Sequence, residues 1–164
     1  MIAIKPLLPA HATAVLRIYG EGLQTGNATF NTIVPSWNEW NSNHHLHTRF
    51  VAVAGEEVLG WVALSPVSSR GCYSGVAEFS IYIGELHRGK GIANLLMQKM
   101  IEESEANDIW TLYSATFEKN FASVELQKKF GFRVIGYRER IAKLNNIWHN
   151  TVILERRSKI TGAD

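Results

Sequence analysis

Apolar and polar residues change their spacing along the chain in an order that predicts alternating strands and helices. Met1 to Leu7 alternates weakly, as an edge strand does. Ala12, Val15, Leu16, Ile18, Tyr19 and Leu23 recur every three or four residues, the period of one buried helical face, and Gly20 and Gly22 are expected to end that helix. After Pro35, Ser36-Trp37-Asn38-Glu39 puts a hydroxyl three residues before a carboxylate. That capping box starts a second helix with Trp37 and Trp40 on one side. Residues 49–54 and 58–65 are apolar, β-branched runs around Gly55-Glu56-Glu57, which predicts a hairpin. Residues 77–83 alternate strictly, with Phe79, Ile81 and Ile83 on one side and Glu78, Ser80 and Tyr82 on the other. A helix from Ile92 carries Leu95, Leu96, Lys99 and Met100 on related faces. A strand over 109–117, a helix over 120–130 closed by Gly131, and strands over 133–141 and 148–155 around Asn145-Asn146 complete the order. This succession implies an α/β (α+β) fold, a mixed central sheet with helices on both faces. One domain is expected over 1–158, with 159–164 a disordered tail.

Composition narrows the function classes. With 164 residues, 46% of them hydrophobic, the chain can bury a sizeable core as one domain. A net charge of +2 without a concentrated basic face argues against a nucleic-acid partner. The single cysteine, Cys72, cannot close an intrachain disulfide or build a cysteine zinc cluster. His44, His45 and His47 lack a nearby cysteine or obvious carboxylate, so no metal is expected. The start of the chain lacks signal-peptide character and no long apolar run spans a membrane, so a soluble cytoplasmic protein is expected.

The informative feature is Arg88-Gly89-Lys90-Gly91-Ile92-Ala93, between the strand ending at Ile83 and the helix from Ile92. Glycines there let the backbone approach a ligand, and loop amides with the positive helix end suit phosphate oxygens. The spacing is neither the dinucleotide fingerprint nor a Walker A loop. It does resemble the acyl-CoA loop of the GNAT acetyltransferase superfamily, Gln/Arg-x-x-Gly-x-Gly/Ala, with Arg88, Gly91 and Ala93 at its specified positions. Asn120 to Phe132 resembles the superfamily's second signature, with Asn120 capping a helix and Gly131-Phe132 closing it. Further stretches are similar to the phosphinothricin acetyltransferase group: Thr25-Gly26-Asn27-Ala28-Thr29-Phe30, Pro35 to Trp40, Gly60-Trp61, Arg70, Tyr73 and Trp148-His149.

The resemblance, over about residues 2–155, implies a splayed strand pair and acetyl-CoA as co-substrate. It assigns acetyl-CoA to Ile81, Tyr82, Ile83, Arg88, Gly89, Lys90, Gly91, Ile92, Ala93, Asn94 and Asn120. It implies Glu78 as catalytic base, and Phe30, Arg70, Tyr73 and His149 as contacts for a small, amino-acid-like amine such as phosphinothricin or methionine sulfoximine. It also implies a homodimer. The chain departs from the family pattern at three positions. Gln127 stands where many members carry a general-acid Tyr, Asn150 where the group often has Asp, and Asn31 where it commonly has Glu. Tyr113 is a weaker candidate acid. Two rival readings share the fold: an acetyltransferase of protein N-termini or peptides, and a non-catalytic acyl-CoA sensor.

Overall fold

A computed structural model describes residues 1–164. Seven strands form one sheet: β1 (Ala3–Pro6), β2 (Phe50–Ala54), β3 (Glu57–Pro66), β4 (Val76–Ile83), β5 (Thr111–Phe117), β6 (Arg133–Leu144) and β7 (Ile147–Arg157). Four helices accompany them: α1 (Ala12–Gln24), α2 (Trp37–Ser42), α3 (Ile92–Ala106) and α4 (Phe121–Lys129). The sheet order is β1-β2-β3-β4-β5-β7-β6, and every pairing is antiparallel except β4 with β5. That parallel pair joins only Val76, Ala77 and Glu78 to Thr111, Leu112 and Tyr113. Beyond Glu78 the two strands splay apart, as the family resemblance implied.

The alternation in β4 feeds two cores. Phe79 packs with Leu96, Met97 and Met100 of α3 on one face. On the other, Trp61, Ala63 and Val51 meet Val15, Ile18 and Trp40 from α1 and α2. Side chains such as Leu96 and Ile18 are fully buried, and each contributes about 1.5–3 kcal/mol relative to exposure.

α1 does not end at its glycines. It runs to Gln24, where the Thr25 and Gly26 amides donate to Gly22 and Leu23 carbonyls, and Gly26 takes a left-handed φ of 64°. Gly22 serves packing instead. A Cβ there would lie 2.5 Å from Cε1 of Tyr82. Gly22→Ala would gain about 1 kcal/mol of helix propensity. Forcing the Tyr82 ring aside costs about 1–3 kcal/mol. A lower melting temperature for this variant is the expected outcome.

β6 runs past residue 141 because a bulge between Arg138 and Ala142 lets its pairing with β7 resume. Arg140 takes a φ of 47° there, and its amide donates to Asn150 Oδ1 at 2.7 Å. Asn145 and Asn146, with φ of 49° and 63°, make the tight turn between the strands. The residues after β7, expected as a tail, carry a turn in which the Ile160 and Thr161 amides donate to Ser158 Oγ at 3.0 and 3.1 Å. No helix is long and apolar enough to cross a membrane.

Candidate active site

The splay opens a cavity of about 1380 Å³ that reaches from α1 and α2, across the gap between β4 and β5, to α3 and α4. At one end lies the glycine loop. Gly89 and Gly91 hold φ of 73° and 80°, and a Cβ on either would meet nothing within 4 Å. The main-chain amides from Arg88 to Ala93 donate to no backbone acceptor, and the first closed turn is Asn94 N–H to the Gly91 carbonyl at 3.2 Å. Open amides at the positive end of a 15-residue helix make a cradle that fits a diphosphate. Arg88 adds positive charge while its Nε donates to the Ile83 carbonyl at 3.3 Å. Lys129 donates to Asn94 Oδ1 at 2.7 Å, which ties α4 to α3 beside the cradle. Arg88, Gly89, Gly91, Ile92, Ala93 and Asn94 line the cavity, whereas Lys90 is not part of its wall.

Along the gap, Ile81, Tyr82 and Ile83 form the β4 wall. Successive residues of a strand alternate the direction of their main-chain groups. With β3 on one side and no partner on the other, alternate groups of 79–83 therefore face the gap. Asn120 stands opposite. Its Oδ1 accepts the Ser123 amide at 3.2 Å, capping α4, and its Nδ2 donates to the Asn27 carbonyl at 3.3 Å.

Glu78 sits at the vertex, half-buried and in the cavity wall. Burial alone pushes its carboxyl above the usual carboxylate range. It shares a sheet face with Ser80 and Tyr82. The Tyr82 ring packs 5.0 Å from both Tyr19 and Trp61. Its phenol is held well above its ordinary value, by burial first and then by the neighbouring Tyr19 and Glu78, against a hydrogen bond with Thr29. Opposite, Phe30 covers Phe117 at 4.6 Å between ring centroids, and His149 stacks on Phe117 at 4.8 Å. Phe30 thus lines the cavity while His149 supports it from behind.

Arg70 and Tyr73 lie elsewhere. Both are exposed on the connection from β3 to β4, and the guanidinium sits 5.6 Å over the Tyr73 ring, outside the cavity wall. The three histidines do not converge on one point: His44 stacks on Trp40, and His45 on His47. Gln127 faces β5, fully buried. It accepts from Ser114 Oγ at 2.5 Å and donates to Thr116 Oγ1 at 2.9 Å and Ser123 Oγ at 3.2 Å. That network pins α4 beneath the half of β5 that has parted from β4. Tyr113 is half-buried and absent from the cavity wall.

Sequence reasoning missed the aromatic floor formed by Tyr19 and Trp61, and the bond from Asn31 Nδ2 to Tyr19 Oη at 2.7 Å. Periodicity marked Tyr19 as core, but nothing local signals that its hydroxyl faces a ligand space.

The family model described as acetyltransferase (GNAT) family matches residues 15–132, which takes in the splay, the cradle and α4. The chain belongs to that family. That family is one of acetyltransferases. It is 32% identical over 94 residues to phosphinothricin N-acetyltransferase of Streptomyces coelicolor, and the match covers 57% of this chain. The chain therefore spans about half of that relative, 55% of its length. It is 22% identical over 152 residues to L-methionine sulfoximine/L-methionine sulfone acetyltransferase of Pseudomonas aeruginosa, 89% of this chain and 88% of the relative. Among solved structures, a GNAT superfamily phosphinothricin acetyltransferase from Sinorhizobium meliloti, in complex with AcCoA, superposes with a TM-score of 0.90 at 22% identity. That match covers 99% of this chain and 91% of the other, and shows the shared fold.

Proposed function

We propose that this GNAT protein moves the acetyl group of acetyl-CoA to the amine of a small, amino-acid-like molecule by direct attack in a ternary complex. One observation carries the reading: an unpaired carboxyl, Glu78, stands at the splay vertex in the same cavity as a cradle of open amides. The cradle residues 88–93 hold the diphosphate, Asn120 and the β4 edge at Ile81 to Ile83 hold the amide-bearing arm, and the thioester comes to rest beside Glu78. The solved Sinorhizobium neighbour is in complex with AcCoA, which supports the assignment.

Glu78 removes a proton from the acceptor ammonium, because only the neutral nitrogen carries a lone pair for attack. A base held above the ordinary carboxylate range is better matched to an amine of pKa about 8. Nitrogen bonds to the thioester carbon, an outward-facing β4 amide steadies the oxyanion, and the C–S bond breaks as the carbonyl re-forms. The departing thiolate takes up the second proton, shed by the nitrogen as the amide forms, and Glu78 gives the first to solvent. Gln127 has no part in that step, since both ends of its amide are held in the β5 network.

The acceptor faces Phe30, Tyr19 and Tyr82. In the same proposal the protein is cytoplasmic and a homodimer, paired through β6, where Ile135, Tyr137 and Ile141 are exposed. Sedimentation should then show twice the 18.4 kDa chain mass.

Thiol release from acetyl-CoA tests the chemistry, with L-methionine sulfoximine, L-methionine sulfone and phosphinothricin set against N-terminal peptides. At least one free amino-acid analogue should exceed every peptide in kcat/KM by more than tenfold. Preference for peptides would make this a protein N-terminal acetyltransferase. Tight acetyl-CoA binding with no turnover of any amine would make it a sensor.

A further inference from the structure

The cradle has few restraints of its own. From Arg88 to Ala93 no main-chain amide donates within the protein, and Arg88 to Gly91 are exposed. Its shape therefore depends on its two ends. One is α3. The other is the short 3-10 turn Glu85–His87, which leads in from β4.

That turn is clamped on two sides. Toward β3, the Gly84 amide donates to the Leu59 carbonyl at 2.8 Å and the His87 ring meets Glu57 at 2.9 Å. Toward α1, the Glu85 amide, the first of the turn, donates to Glu21 Oε2 at 2.7 Å. The other Glu21 oxygen accepts from Arg17 Nη1 at 2.5 Å, one helical turn earlier, so the carboxylate is held in one orientation. Burial would raise this carboxyl, but the Glu85 amide, then Arg17 and Arg88, hold it below the usual range.

An exposed Arg17–Glu21 pair is by itself worth little. A charged acceptor on a main-chain donor is stronger, and here it joins residues 64 positions apart. The same stretch of α1 also bears Tyr19, packed edge-on to Tyr82, and Gly22, whose missing Cβ admits that ring. α1 therefore touches the acceptor wall and the entrance of the cradle at once.

We propose that Glu21 is a positioning residue for the diphosphate cradle: its carboxylate fixes the Glu85 turn and so aims the open amides before the ligand arrives. The inference rests on the reading of residues 88–93 as the acetyl-CoA site. Preorganisation of this kind acts on binding of the ligand it serves and leaves the chemical step unchanged.

Two variants separate the carboxylate's parts. Glu21→Leu removes the acceptor. Glu21→Gln keeps one oxygen for the Glu85 amide and loses the charge together with the acceptor for Arg17. Calorimetry with acetyl-CoA should show binding weakened about 5- to 20-fold in Glu21→Leu and less than threefold in Glu21→Gln. In the leucine variant the KM for the acceptor and kcat should stay within about twofold of wild type, and the Glu85 amide should exchange hydrogen faster. Should Glu21→Leu fail to fold, Arg17→Leu leaves the carboxylate in place but unoriented, and a weakening of about two- to fivefold is expected. Wild-type affinity in Glu21→Leu or, if that protein does not fold, in Arg17→Leu, equal losses in the leucine and glutamine variants, or a matching rise in acceptor KM would each overturn the positioning role. A wild-type protein that binds no acetyl-CoA would instead overturn the functional reading on which this one stands.

Discussion

Glu78→Gln should lower kcat by about 10²- to 10⁴-fold, the range usual for a positioned general base, while acetyl-CoA binds as tightly as before. The substitution keeps shape and volume, so an effect confined to kcat identifies a role in the chemical step. The pH profile gives a second signature. In wild type the rate falls as pH drops through the Glu78 pKa, because the protonated carboxyl cannot accept a proton. That acidic limb lies above the ordinary carboxylate range, since burial raises the group. In Glu78→Gln the limb should vanish. Stability should move the opposite way. A carboxyl whose folded pKa is raised binds more protons in the native than in the unfolded state, so stability falls as pH rises between the two values. At neutral pH the variant, freed of a half-buried charge, should therefore melt above wild type. A variant with full rate and an unchanged acidic limb would remove Glu78 from the mechanism.

Gly91→Glu is expected to weaken acetyl-CoA binding by more than 100-fold, about 3 kcal/mol, with a modest loss of stability. Two causes combine. Gly91 stands at a φ of 80°, where an L side chain is strained by about 1–2 kcal/mol. The new carboxylate would also stand among the open amides that face the anion. Gly91→Ala separates the two, because its Cβ would meet nothing within 4 Å and brings only the backbone strain. Isothermal titration should show a moderate loss for alanine and none of the charge effect. Equal affinities for wild type and Gly91→Glu would place the diphosphate elsewhere.

Local patterns in this chain carried much of the architecture. Strand alternation over 77–83 assigned Phe79 to the core side and Glu78 to the other, and both lie there. The capping box at Ser36 starts α2, with Glu39 Oε2 accepting the Ser36 amide at 2.9 Å. Such features are legible because their causes lie within a few residues: side-chain period, hydroxyl caps and the freedom of glycine. Gly20 and Gly22 show where that logic stops. Weak helix formers predict a terminus, yet the ring of Tyr82, sixty positions away, is what requires Gly22.

The amino-acid order by itself determined the succession of elements, the cradle with its two left-handed glycines, and the phase that turns Glu78 away from the α3 core. Only the tertiary structure decided that β4 and β5 part after Glu78, that Gln127 is locked beneath β5, that Arg70 and Tyr73 stand outside the cavity wall, and that Glu21 anchors the cradle's entrance. The division has a physical reason. Backbone preference and hydrophobic period act over one or two turns of chain. Strand register, desolvation and cross-element hydrogen bonds depend on groups distant in sequence that meet only when both cores close.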